Sequence, residues 1–396
     1  MTTIALSMIV KDVAPMILRS LASVRPLIDY ALIEDMGSTD GTQAIIRNFL
    51  AKERLPGEII EEPWRNFAHN RNIGLSRLRE RTDIDYALVM DAGDILAFAD
   101  GFDAAKVKQA LDQDFYRVEV RQGPVRFWRA QILKNGLAFG YKGVLHEIVV
   151  GPSGATSAGT AAGLYIQAGT EGAGNPDKYR AEAAILEKAL ETESDEFIRA
   201  RYTFYLAESW MLAGEKEQAL QTHLRRAELG GWSQEVCISL YHAAQLKEAL
   251  GREDTDIIGT YLKAYEADPK RAEPLHGAME YCRRTGKHHQ GYLIGKHAIA
   301  LPEPVGALFV ASWIYDYGLL EEYSVHAFRS GHYEACLDAI ERLLEEGKIP
   351  QSAHERLREN ARIAQENLKA RDEGQAKPPK SKPTRQAARQ APQRGR

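Results

Sequence analysis

The stretch ALIEDMGSTDGT, residues 31–42, joins a short apolar strand to an acidic, glycine-punctuated turn and then to a helix. Its first three residues predict a buried strand, and Asp35 lies where that strand ends. A carboxylate at the carboxyl end of a strand lies at the mouth of an open α/β sheet, where ligands bind. Asp35 can accept hydrogen bonds there, and the glycines allow close backbone approach. The alternative is a helix N-cap formed by Ser38 or Asp40.

Outward from this stretch, strands and helices alternate up to about residue 90. Strands are predicted at 3–10, 30–33, 58–61 and 86–90, and helices at 14–24, 42–52 and 68–79. This alternation predicts a mainly parallel sheet. Further β-structure is predicted at 115–119, 125–133, 144–150 and 163–167. The fold class expected for this part is therefore α/β, with a Rossmann-like mixed sheet.

Beyond Pro176 the chain carries apolar residues at helical spacing, in successive two-helix units. Four glycines recur in similar contexts at the ends of predicted helices: Gly214, Gly251, Gly286 and Gly331. This spacing resembles the tetratricopeptide repeat, in which small residues let paired helices approach closely. We expect an α/β domain over 1–170, an all-α helical-repeat domain over 175–370, and a disordered basic tail over 371–396.

A second acidic cluster, MDAGD, follows the apolar strand that ends near Met90. Asp91 and Asp94 are candidates to share a Mg²⁺ or Mn²⁺ ion that bridges the two phosphates of a nucleotide diphosphate, because these cations prefer oxygen ligands. The alternative is a pair of loop carboxylates that cap the following segment. The residues by themselves leave both interpretations open, a metal site and a pair of capping carboxylates.

Arg71 and Asn72 stand in the segment PWRNFAHNRNIGL between the two acidic clusters. Near the start of a helix, a cation and an amide can reach a phosphate or a base. The alternative for Arg71 is a solvated position on the helix surface.

The third element is the segment VRFWRAQILKNGLAFGYKGVLHEIVV, in which His146 and Glu147 follow a glycine-containing turn. An inverting sugar transfer needs a base for the acceptor proton and a cation for the leaving diphosphate. Either residue suits the first role, and a metal or an arginine suits the second. Neighbouring residues of a strand point to opposite faces, so at most one of the two faces the site. A buried structural His–Glu pair is the alternative.

The ordered series SMIVKD, EDMGSTDGT, NFAHNRN, MDAGD and RFWR to YKGVLHE resembles the family 2 glycosyltransferases of GT-A fold that carry a C-terminal tetratricopeptide-like domain. The resemblance spans roughly residues 1–370 and implies a nucleotide-sugar donor, with uridine diphosphate as the expected nucleotide. It places the donor nucleotide on six residues: Asp35, Ser38, Asp40, Arg71, Asn72 and Asp91. It further implies a metal at Asp91 and Asp94, and an acceptor side lined by His146 and Glu147.

Two positions depart from the pattern of this family. Gly93 stands where a middle metal-binding carboxylate is usual, and Ala168 stands where a histidine is often found. Metal binding would then rely on Asp94, be weak, or be replaced by Arg71 and neighbouring basic residues.

Composition supports a folded chain of 396 residues, with 44% hydrophobic and 27% charged residues. The tail from Gly374 onward carries seven basic residues and no acid, which suits acidic partners, nucleic acid or solubility alone. The three cysteines are widely spaced and predict reduced core thiols. The first residues lack a signal-peptide pattern and no long apolar run occurs, so we expect a cytoplasmic protein without a transmembrane segment.

The leading hypothesis is an inverting glycosyltransferase that acts on a hydroxyl of a polymeric acceptor, with a protein or peptide first and a glycan second, because helical repeats offer extended concave surfaces. The basic tail keeps a nucleic acid with hydroxylated bases open as acceptor. The competing hypothesis is a catalytically degenerate α/β domain whose repeats serve as a scaffold for protein partners.

Overall fold

The computed structural model describes residues 2–123, 125–169 and 174–374. Its strands are β1 (Ile4–Val10), β2 (Tyr30–Asp35), β3 (Gly57–Glu61), β4 (Tyr86–Val89), β5 (Ile95–Phe98), β6 (Phe115–Gln122), β7 (Val125–Lys134), β8 (Gly140–Lys142), β9 (Ile148–Val150), β10 (Ser157–Gln167) and β11 (Val310–Ala311). Its α-helices up to residue 212 are α1 (Ala14–Val24), α2 (Thr42–Lys52), α3 (Phe67–Arg79), α4 (Ala104–Gln109), α5 (Pro176–Thr192) and α6 (Glu196–Leu212). The remaining α-helices are α7 (Lys216–Glu228), α8 (Ser233–Ala249), α9 (Asp254–Ala267), α10 (Glu273–Thr285), α11 (His288–Ala298), α12 (Leu319–Arg329), α13 (Tyr333–Glu346) and α14 (His354–Asp372).

The main sheet is mixed, with the strand order β3-β2-β1-β4-β7-β6-β10-β5, and β11 pairs with β7. Strands β1 to β4 are parallel, whereas β7 runs antiparallel to both β4 and β6. The predicted fold class, an α/β mixed sheet followed by an all-α region, is confirmed. The first four strands are parallel as predicted, and β10 also pairs with β6 in parallel, whereas β7 and β5 run antiparallel to their neighbours.

The order of the strands places a topological switch beside β1. The chain runs from β1 to β2 and β3 on one side, and then returns to β4 on the other side. At such a reversal the carboxyl ends of neighbouring parallel strands leave a crevice in which ligands bind. The crevice here lies between the ends of β1 and β4.

Helices cover both faces of the sheet, so every residue of β1 and β4 is buried. Ile17 of α1 and Ile46 of α2 share one core cluster with Leu6 of β1. Leu75 and Leu78 of α3 share a second cluster with residues of the opposite face. The alternation of side chains along each strand produces these two cores, and it fixes α3 over the strands that lead to the crevice.

The predicted bounds of α1 and α2 agree with the structure, while several other elements differ. The strand predicted at 163–167 is the end of the longer β10, which pairs with both β6 and β5. The short elements β5, α4 and β8 were not predicted, since four, six and three residues carry too little periodicity.

In the helical region, glycines follow the ends of helices at the four positions predicted from the sequence. The four predicted glycines follow α6, α8, α10 and α12 and have φ of 84°, 67°, 76° and 80°. This left-handed conformation after a helix favours glycine, which explains why the same residue recurs.

Residues divide by packing into two compact units, one formed by the chain up to Gly277 with Leu301–Tyr315, the other by Ala278–Ala300 and the chain from Asp316 onward. The domain limits expected from the sequence stay a prediction. Residues 375–396, most of the expected basic tail, lie outside the described residues.

The three cysteines are buried and free, as expected. Within the described residues, no helix is both long enough and apolar enough to cross a membrane.

Candidate functional site

Arg71 forms the centre of a charged cluster at the carboxyl edge of the sheet. Its helix α3 begins at Phe67 after the N-cap Asn66, whose side chain accepts a hydrogen bond of 2.8 Å from the backbone N–H of His69. Arg71 therefore lies in the second turn, with only 7% of its side chain exposed. It donates to Asp91 Oδ1 and, at 2.5 Å, to Glu147 Oε1. Burial lowers the pKa of Arg71, but the two carboxylates outweigh this and raise it, so the guanidinium stays charged.

Asp91 and Asp94 are brought together by a turn directly after β4, in which the N–H of Asp94 donates to the carbonyl of Asp91 at 3.1 Å. The guanidinium of Arg129, on β7, lies 3.5 Å from Asp91 and 3.3 Å from Asp94. The other Asp94 oxygen accepts the N–H of Gly169 at 3.0 Å. Arg129 thus contacts both of the carboxylates that the sequence assigned to a metal.

The two carboxyl groups have opposite pKa shifts. Burial raises the pKa of Asp91, but Arg71 and Arg129 outweigh burial and lower it to about 2. Burial and the charge of Asp91 raise the pKa of Asp94 to about 6. Near neutral pH, Asp91 is the firmly ionised member of the pair.

Asp35 shapes the loop after β2 and is fully buried. Its Oδ1 accepts the backbone N–H groups of Gly37 at 2.7 Å and Ser38 at 2.6 Å. Its Oδ2 is buried without a hydrogen-bond partner, as is Oε2 of the neighbouring Glu34. Buried acceptors without partners are costly, so this loop has hydrogen-bonding capacity that the protein itself does not use.

Ser38 and Asp40 fasten the same loop to the start of α1. Ser38 Oγ accepts the N–H of Asp12 at 2.9 Å, and Asp40 accepts the N–H of Ala14 at 2.9 Å. The N-cap of α2 is Gly41, with φ 92°, rather than either of the two residues considered from the sequence. Their backbone contacts give both side chains a structural role, and a nucleotide contact stays a prediction.

Asn72 ties α3 to the small β8–β9 sheet. Its amide group donates to the carbonyl of Tyr141 at 2.9 Å and accepts the N–H of Tyr141 at 2.6 Å. A Cβ at Gly140 would lie 3.0 Å from the Asn72 oxygen, which explains the small residue there. The structure therefore uses Asn72 to place Tyr141 beside Arg71, whose guanidinium carbon lies 5.4 Å from the Tyr141 ring centroid.

His146 and Glu147 precede β9 rather than lying within a strand. The predicted strand at 144–150 is shorter because His146 has φ 52°, in the left-handed region, and pairing begins at Ile148. Glu147 lines the cavity described below and binds Arg71. The His146 ring stacks on Tyr205, with centroids 3.8 Å apart. Burial, together with the charge of Arg201, lowers the pKa of His146 to about 3.

A cavity of about 270 Å³ gathers Arg71, Asp91 and Glu147. Its charged lining consists of these three with Arg129 and Arg201, so three guanidinium groups face two carboxylates. Arg129 also contacts Asp94, and Arg201 contacts Glu235 at 3.3 Å, so an anionic ligand would compete with carboxylates for these guanidinium groups. The helical region contributes Phe197, Arg201, Tyr205 and Trp232 to the wall.

Sequence reasoning found part of this site and missed the rest. Arg71, Asp91 and Glu147 meet in the cavity, whereas Asp35, Ser38, Asp40, Asn72, Asp94 and His146 are not among its lining residues. The residues that α6 contributes to the wall belong to no sequence motif. Arg201 and Tyr205 resemble ordinary residues of an amphipathic helix. Asn70, which donates to Glu34 at 2.6 Å, was signalled only by its place beside Arg71.

No family model matches this chain, and no curated protein matches it. Among solved structures, S. aureus TarS is 14% identical, with a TM-score of 0.34, and the match covers 67% of this chain and 55% of that one, little more than half of its length. TarS 1–349 in complex with UDP-GlcNAc is 13% identical, with a TM-score of 0.34, covering 67% of this chain and 91% of that one. TTC0263, a thermophilic TPR protein in Thermus thermophilus, is 16% identical, with a TM-score of 0.30, covering 48% of this chain and 91% of that one. Likenesses this low carry no argument about the function of the chain.

Proposed function

We propose that this chain is an inverting glycosyltransferase of GT-A type that uses a nucleotide-diphosphate sugar, with uridine as the nucleoside, over 1–170, followed by tetratricopeptide-like repeats over 175–370. The observation that carries the proposal is Arg71, which bridges Asp91 and Glu147 in a cavity beside the carboxyl end of β4. This edge is where open α/β sheets bind ligands. The cavity combines a cationic wall with a carboxylate, the two groups that sugar transfer requires.

The donor diphosphate is assigned to the cationic wall. Arg71, Arg129 and Arg201 can neutralise the charge that develops on the leaving diphosphate. Guanidinium groups form bidentate hydrogen bonds with phosphate oxygens. The nucleoside is assigned to the loop after β2, where Asp35 keeps an unused acceptor oxygen. Ser38 and Asp40 hold that loop in place.

Glu147 is the better base of the two candidates. A general base works best when its pKa is near the operating pH and when it reaches the reacting proton. His146, with its pKa lowered to about 3, is a weak base, and its ring stacks on Tyr205. In the proposed step, Glu147 takes the proton of the acceptor hydroxyl as its oxygen bonds to the anomeric carbon. The bond from that carbon to the diphosphate oxygen breaks, and the nucleoside diphosphate leaves with the electron pair.

The residues at 91–94 do not present a free site for Mg²⁺ or Mn²⁺. One guanidinium, that of Arg129, lies against both carboxylates, and the remaining oxygens accept from Arg71 and from Gly169. A shared cation at this place would have to displace Arg129. We therefore assign charge stabilisation to the arginines and route no step through a metal at Asp91 and Asp94.

The acceptor is assigned to the aromatic wall from the helical region. Phe197 and Trp232 are 51% and 40% exposed although both line the cavity. Exposed aromatic rings beside a polar site suit the apolar faces of sugars and aromatic side chains. A polymeric acceptor, peptide or glycan, that continues along the helices fits this surface best.

The experiment is a panel of nucleotide sugars with water as acceptor, using the full chain. Release of UDP from one member, faster with wild-type protein than with Arg71→Lys, supports the enzyme. Absence of nucleotide binding and of hydrolysis with every member would instead support the degenerate scaffold, for which the occupied carboxylates at 91–94 are the favouring observation.

A further inference from the structure

Three side chains from three successive helices converge outside the cavity. They are Glu208 of α6, His223 of α7 and His242 of α8, and their ligand atoms all lie within 4.8 Å of one another. His242 Nδ1 lies 2.7 Å from Glu208 Oε1, and His223 Nε2 lies 3.7 Å from the same oxygen. Nothing in the sequence suggested this group, because its members are separated by 15 and 19 residues on different helices.

His223 is the unusual member, because its imidazole is fully buried and neither ring nitrogen has a hydrogen-bond partner. Buried polar groups are nearly always paired, and an unpaired one destabilises the fold. The distance from Nε2 to Glu208 is too long for a hydrogen bond. A metal ion bonded to Nε2 and to Glu208 Oε1 would use both atoms at once.

The distances fit two ligands of one small cation. Zinc bonds of about 2.0–2.1 Å in tetrahedral geometry place neighbouring ligand atoms about 3.3 Å apart. The separation of 3.7 Å between His223 and Glu208 is close to this value. His242 and Glu208 are about one-fifth exposed, 20% and 21%, so their shorter contact can open and water can reach a fourth position.

We propose that Glu208, His223 and His242 bind one divalent transition-metal ion of the zinc class. Two imidazoles with one carboxylate suit zinc and its first-row neighbours, whereas Mg²⁺ and Ca²⁺ take oxygen ligands. The ion fastens α6 to α7 and α8. Glu208 lies one turn beyond Tyr205, so the ion also holds in place the helix that supplies Arg201 and Tyr205 to the cavity.

The test uses untagged full-length protein, stripped with a chelator and titrated with Zn²⁺ by calorimetry, with metal content measured by mass spectrometry. Glu208→Gln and His242→Ala remove one ligand each at partly exposed positions, and His289→Ala removes an exposed histidine of α11 as the matched control. We expect one equivalent of zinc in wild type and control. We expect at least about a 100-fold loss of affinity in the two ligand variants, more than the loss typical of changes to outer-shell partners.

Two further readouts separate a metal site from a hydrogen-bonded cluster of the same residues. Co²⁺ should give d–d absorption bands typical of four or five ligands in wild type and control, and these bands should vanish in both ligand variants. Zinc should raise the melting temperature of wild type and control only, since a ligand that binds the native state stabilises it. Equal zinc affinity in wild type and ligand variants, or binding lost equally in His289→Ala, would overturn the site. None of these readouts requires a nucleotide sugar.

Discussion

Replacing Glu147 with glutamine tests the base without removing the contacts that hold it. The side chain is 11% exposed, and its Oε1 accepts from Arg71 Nε at 2.5 Å. Glutamine keeps the volume and an acceptor oxygen, and Arg71 keeps Asp91, so we expect a loss of stability of only about 1 kcal/mol, the difference between a charged and a neutral hydrogen bond. The proton acceptor is lost, which should slow donor hydrolysis by about 10²–10⁴-fold, or about 3–5 kcal/mol of barrier.

The assay is single-turnover release of UDP from the best donor, together with UDP affinity by calorimetry. UDP should bind to Glu147→Gln within about threefold of wild type, because only the base has changed. Glu119→Gln is a matched control, since Glu119 is 18% exposed and pairs with Arg121 at 2.9 Å outside the cavity. Full activity in Glu147→Gln, or an equal loss in Glu119→Gln, would refute the assignment of the base.

Three further substitutions address the remaining parts of the site. Arg129→Gln should lower donor hydrolysis and make it responsive to Mn²⁺, because Asp91 and Asp94 lose the guanidinium they share; hydrolysis without and with Mn²⁺ measures this, and an unresponsive variant contradicts it. Asp35→Asn keeps the acceptor for the loop N–H groups but replaces the unpartnered oxygen, so UDP affinity should fall by about 1–3 kcal/mol, while Asp85→Asn at the opposite sheet edge should change nothing. Burial, opposed by Asn70, raises the pKa of Glu34 from 4.5 to about 7, so its contribution to stability is present below 4.5 and lost as the pH rises through 7. Glu34→Gln should therefore melt higher than wild type at about pH 8 but not at about pH 4, and an equal difference at both would contradict the shift.

Local patterns were enough to predict the elements that the crevice needs. The apolar runs before Asp35 and Asp91 predicted β2 and β4 because buried parallel strands are apolar throughout. Alternation with helices then placed both carboxylates at one edge of the sheet. Arg71 and Glu147 were candidates from their own segments, and the resemblance assigned them to the donor and acceptor sides. The structure joins them at 2.5 Å although 76 residues separate them.

Long-range contacts could not be predicted from these patterns. Arg129 turns out to contact both Asp91 and Asp94, and this depends on the antiparallel pairing of β7 with β4. The aromatic wall depends on how α6 packs, which no local motif records. The strand expected through His146 is broken by a left-handed backbone at this residue, a conformation that is uncommon outside glycine and that no local pattern signalled.

The most direct test of the proposed donor site is a calorimetric titration of UDP into wild type and Arg71→Lys, with no divalent cation added. Lysine keeps one charge but cannot bridge Asp91 and Glu147 as the guanidinium does. We predict saturable binding to wild type that weakens by at least about tenfold, or about 1.4 kcal/mol, in the variant. Equal affinity in the two proteins, or no binding of UDP to wild type, would contradict a nucleotide-diphosphate site at Arg71.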